Sequence, residues 1–106
     1  MSEKNIAVDL LVKGSNLCRF LENEKDEHIF SKKLIDAISS LSEIVYSINS
    51  PSLTKAEVSQ SRKMATLEAQ KANLYLNALY ISGFLSEAQK DSMQNTLSTL
   101  TKEFNI

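Results

Sequence analysis

Gly14, Gly83 and Pro51 are the only glycines and the only proline in the chain. A many-stranded sheet needs residues of these kinds at its turns. Three in 106 residues cannot supply them, so sandwiches and barrels are excluded. Helices joined by a few short connections need no more. Apolar residues make up 42% of the chain, enough to fill one core and too many for a disordered polar segment. A chain of this length is expected to form a single domain over residues 1–106.

Punctuation divides the chain into four segments, with helices expected over about residues 4–22, 28–49, 55–82 and 87–104. The charged cluster Glu22 to His28 parts the first two, NSPSL (Asn49 to Leu53) the second and third, and SGFLS (Ser82 to Ser86) the last two. Connections this short make consecutive helices antiparallel neighbours. The predicted fold is all-α, an antiparallel up-down four-helix bundle.

Two helix starts are written in capping chemistry. Thr54 and Glu57 form a capping box, with Leu53 and Val58 at the staple positions around it, and Ser86 and Gln89 form a second. Gly83 stands where a left-handed residue would end the third helix, and Pro51 stops the second from running on. The apolar spacing agrees, stepping by three or four residues along each segment. The expected core faces are Ala7, Leu10, Leu11, Gly14, Leu17, Cys18 and Leu21 on the first helix, and Phe30, Leu34, Ile38, Leu41, Ile44, Val45 and Ile48 on the second. Val58, Ala65, Ala72, Tyr75, Leu76 and Leu79 serve the third, and Met93, Leu97, Leu100 and Phe104 the fourth.

The third helix is apolar on a second side. At about 100° per residue, Leu67, Leu74 and Ile81 lie opposite its core face, and Met64 and Ala78 widen that stripe. Val8 and Val12 make a shorter outer stripe on the first helix. A bundle helix needs one apolar face, so a second implies another surface to cover it. These seven residues are the predicted self-association interface. The outer positions of the fourth helix, among them Lys90, Asp91, Gln94 and Lys102, are polar.

A search for chemistry returns no catalytic, cofactor-binding or metal-binding residues. One His excludes His-Glu-x-x-His, and a di-iron bundle would need Glu-x-x-His pairs that do not occur. The lone Cys18 lies on the core stripe and cannot close an intramolecular disulfide. His28 reads as a solvated loop residue. Glu68, at the edge of the third helix's core stripe, is read as an ion-pair or rim residue rather than a functional acid.

The net charge of −1 gives no strong field toward nucleic acid or lipid. Residues 54–83 nevertheless carry a net +2, with Lys55, Arg62 and Lys63 opening the third helix and Lys32 and Lys33 the second. These five are the candidate nucleic-acid contacts, against the plainer reading of a solvated polar face. No stretch approaches the ~20 apolar residues of a membrane span. A soluble cytoplasmic protein without membrane partners is expected.

The opening Ile6-Ala7-Val8, the ENEKDEH turn, FSKKLI at the second helix, and above all LEAQKANLYLNALYISGFLSE (Leu67 to Glu87) are similar to a known pattern. Together they resemble the small bacterial four-helix-bundle protein family. That family includes proteins encoded in intervening sequences of large-subunit ribosomal RNA genes and accessory proteins of diversity-generating retroelements. The likeness covers about Ile6 to Met93. It implies a homo-oligomeric ring of five subunits and, for some members, contact with nucleic acid or a protein partner such as a reverse transcriptase. The chain departs from the pattern in the second helix. Asp36 stands where Arg is usual, Ile38 and Ser42 where Gly is usual, and Ile44 where Asn is usual. The expectation is a non-enzymatic, self-assembling binding or accessory module, with a nucleic-acid-binding protein as the alternative.

Overall fold

A computed structural model describes residues 3–106, with side chains from Asn5 onward. Four helices, α1 (Glu3–Glu24), α2 (Phe30–Ser47), α3 (Lys55–Ile81) and α4 (Glu87–Phe104), form an all-α bundle, with no strand among the described residues. Each helix packs chiefly against its chain neighbours, and α4 closes the square against α1. The diagonal pairs, α1 with α3 and α2 with α4, contribute little. The bundle measures 43 × 24 × 19 Å. No helix is long and apolar enough to cross a membrane, among the described residues.

Both capping boxes form. Thr54 Oγ1 accepts from Glu57 N at 3.1 Å while Glu57 Oε1 accepts from Thr54 N at 3.0 Å. Ser86 and Gln89 exchange the same pair at 3.1 and 2.9 Å. Gly83 takes the left-handed conformation (φ 84°) and closes α3 as a Schellman motif, Phe84 N bonding to Leu79 O at 2.9 Å and Gly83 N to Tyr80 O at 3.0 Å.

The α1–α2 junction departs from expectation. α1 runs to Glu24 and α2 begins at Phe30, because Glu27 is a buried cap rather than part of a solvated charged turn. Its carboxylate accepts from Ser31 N at 2.7 Å and Ile29 N at 3.2 Å, and Ser31 Oγ donates back to Glu27 O at 2.8 Å. Asp26 makes the preceding turn in the left-handed region (φ 51°). Asp tolerates that region better than most side chains. At the other end α2 stops at Ser47, two residues short of the expected boundary.

The core is continuous and aliphatic. Leu10, Leu21, Leu34, Ile38, Leu41, Leu76, Leu79 and Leu100 are wholly enclosed, with Leu97 nearly so. Leu11, expected in the core, is instead exposed on the α1–α2 rim, about 80° around the helix from the mean direction of Leu10, Gly14 and Leu21. Gly14 allows α1 and α2 to meet closely: a Cβ there would stand 2.8 Å from Ile38 Cδ1 and 2.9 Å from Ile38 Cγ2.

Candidate functional site

Through its middle α3 faces the core with small residues and the outside with large ones, and only toward its end do Leu76 and Leu79 fill the core. Ala65, Ala69 and Ala72 are buried against the bundle. On the opposite face Leu67 is 52% exposed, Leu74 60% and Ile81 82%. Met64 is half exposed and Ala78 half buried on the same side, so five of the seven predicted interface residues share one surface. The other two do not join it. Val8 and Val12, both half exposed, project from α1, diagonal to α3 in the square.

Val8 belongs instead to an apolar groove of about 390 Å³ between α1 and α2, lined by Ala7, Val8, Leu11, Ser42, Glu43 and Tyr46. Ser42 is 4% exposed, and its hydroxyl has no hydrogen-bond partner among the described residues. A buried hydroxyl left in that state costs free energy until something supplies a partner. Sequence reasoning missed this groove. Ser42 lies four residues after Ile38 and three before Val45, at the edge of the core stripe, and its polar identity hid that.

The other singled-out residues hold structural positions. Cys18 is buried, and its thiol donates to Ser31 O at 3.3 Å. Burial first, and then the negative charge of Glu22, pushes that thiol up to about 12, so the thiolate a nucleophile needs is scarce at neutral pH. His28 is exposed, with Nε2 2.8 Å from Asp26 Oδ1. Glu68 pairs with Lys71 at 3.2 Å and lines a polar groove with Lys33, Asp36, Ser40 and Tyr75. Among the described residues no three His, Cys, Asp or Glu side chains converge to hold a metal ion.

The candidate nucleic-acid contacts are all exposed and are strung out along the α2–α3 pair. α2 and α3 run antiparallel, so Lys32 and Lys33, which open α2, do not meet Lys55, Arg62 and Lys63, in the first third of α3, at a common end. Lys33 lies beside Lys71, and Lys63 is eight residues farther down α3, about 12 Å along its axis. A single chain does not assemble these five cations into one patch.

No family model and no curated protein matches the sequence. Among solved structures, the chain is similar to a protein of unknown function from the S23 ribosomal protein family of Bacteroides thetaiotaomicron VPI-5482. The two share 21% sequence identity at a TM-score of 0.89, over 97% of this chain and 94% of that one. At that identity the likeness establishes the four-helix architecture and nothing about activity.

Proposed function

We propose that the protein is a non-enzymatic, cytoplasmic binding or accessory module that works as a homo-oligomer, a ring whose five subunits are implied by the family resemblance. The observation that carries this reading is the outer face of α3, where Leu67, Leu74 and Ile81 stand in solvent on the side away from the core. Fully burying a Leu or Ile is worth roughly 1.5–3 kcal/mol. These three are still half to four-fifths exposed, so each subunit has several kcal/mol of apolar burial to gain, set against the cost of association.

The alternative, a nucleic-acid-binding protein, draws on the ribosomal name of the S23 family to which the solved neighbour belongs and on Lys32, Lys33, Lys55, Arg62 and Lys63. Their separation in one chain makes that reading depend on assembly too. A protein partner docked on the assembled surface is the form of accessory role favoured here.

Light scattering after gel filtration tests the proposal. Wild-type protein at micromolar concentration should be oligomeric. Leu74→Glu should be smaller yet equally helical, because a carboxylate in the middle of the stripe must be desolvated when the stripe is covered. Lys102→Glu, on the polar face of α4, should leave the mass unchanged. A monomeric wild type, or L74E at the wild-type mass, overturns the reading. RNA binding that weakens steeply with salt would favour the alternative.

A further inference from the structure

We infer that the apolar stripe of α3 on one copy seats in the α1–α2 groove of the next, making the contact head-to-tail rather than a symmetric pairing of two α3 helices. The inference rests on the self-association reading and names the two surfaces that meet. Its first support is placement. The stripe lies on α3 and the groove on α1 and α2, with α1 diagonal to α3, so the chain carries two separate apolar surfaces that it cannot bring together itself.

The second support is charge. The outer face of α3 carries Lys63 and Lys71 among its apolar residues and no carboxylate; Glu68 reaches Lys71 from the flank. Two such faces laid together would crowd like charges at the edge of the contact. Among the described residues, the only charged side chain lining the groove is Glu43, of opposite sign. Stripe and groove are therefore complementary, whereas stripe and stripe are not.

A symmetric α3–α3 contact would leave the groove uncovered. A contact between two different surfaces propagates, closing into a ring or growing as a filament according to the rotation it imposes.

Mixing two defective variants tests the pairing. Leu74→Glu spoils the stripe and leaves the groove. Val8→Glu spoils the groove and leaves the stripe, and Val8 is half exposed, outside the core. Each alone should be monomeric by light scattering, with wild-type helicity by circular dichroism. Mixed at equal concentration, they should form a 1:1 heterodimer and nothing larger, because one intact stripe and one intact groove are left. Val8→Lys in place of Val8→Glu should behave the same way, separating a spoiled groove from an unstable variant.

Val8→Glu at the wild-type mass overturns the inference in favour of symmetric α3 pairing. Two monomeric, folded variants that stay monomeric on mixing overturn it as well. A monomeric wild type is a different result, and it refutes self-association itself.

Discussion

Replacing Glu27 by Ala tests whether one buried carboxylate holds the start of α2. The side chain accepts from Ser31 N at 2.7 Å and from Ile29 N at 3.2 Å, and Ile29, at the N-cap position, offers no side-chain oxygen of its own. Losing a capping oxygen costs about 0.5–2 kcal/mol. Ser31 is fully buried, so water cannot replace the acceptor its N–H loses, which adds about 1–3 kcal/mol. Ile29 is exposed and its N–H can turn to water, so the two figures overlap in part. We expect a loss of about 2–3 kcal/mol in urea unfolding followed by circular dichroism. For a domain near this size that corresponds to a fall in Tm of about 10–20 °C. Glu27→Gln, whose amide oxygen still accepts, should lose less. Glu24→Ala, an exposed carboxylate in the last turn of α1, should lose nothing, since a negative charge there opposes the helix dipole. An E27A protein within about 0.5 kcal/mol of wild type, the range of ordinary surface changes, would refute the cap.

Three further outcomes follow from the same geometry. Gly14→Ala should destabilise by about 1 kcal/mol in the same unfolding assay: the gain in helix propensity is outweighed by overpacking against Ile38, whose Cγ2 is fixed on a branched β-carbon. Gly83→Ala should cost about 1 kcal/mol through the left-handed backbone alone, since a Cβ there meets no atom within 4 Å. The Cys18 thiol stays neutral in the fold up to about pH 12 but ionises near 9 when unfolded, so its contribution is complete below pH 9 and declines as pH rises toward 12. Cys18→Ala should therefore show a shallower alkaline loss of stability than wild type, by at most about 1.4 kcal/mol per pH unit.

The order of helices and the two caps at Thr54 and Ser86 were legible because local chemistry determines them: a hydroxyl and a carboxyl or amide three residues apart each accept from the other residue's backbone N–H, whatever surrounds them. Glu27 was not legible. Its role comes from burial beneath the turn of α1 and from a partner four residues on, and in sequence it is one acid among four in ENEKDEH. Leu11 and Ser42 fail for a related reason. Both fall near the edges of apolar stripes, where a helix rotated by a few tens of degrees exchanges rim for core, and the rotation is set by the close approach of Gly14 to Ile38. The exposed stripe on α3 was visible from spacing alone. That it faces away from Val8 and Val12 follows only from which helices are diagonal.

The contrast between α3 and α4 narrows what the stripe is for. α4 buries Met93, Leu97, Leu100 and Phe104 and turns polar residues outward, as a helix serving one core does. Through the middle of α3 the large and small residues are inverted, with Ala65, Ala69 and Ala72 inside and Leu67 and Leu74 outside. Small inward residues let α3 lie close to α2, and they leave the bundle little to gain from this stretch of helix beyond close contact. Had selection acted on the monomer alone, polar residues at 67 and 74 would have cost the core nothing and lowered the risk of aggregation. The leucines at those positions bury their surface only in contact with another molecule. The position of Lys63 and Lys71 within the same face favours a partner surface that presents a carboxylate beside its apolar wall, the combination that Glu43 and Val8 provide.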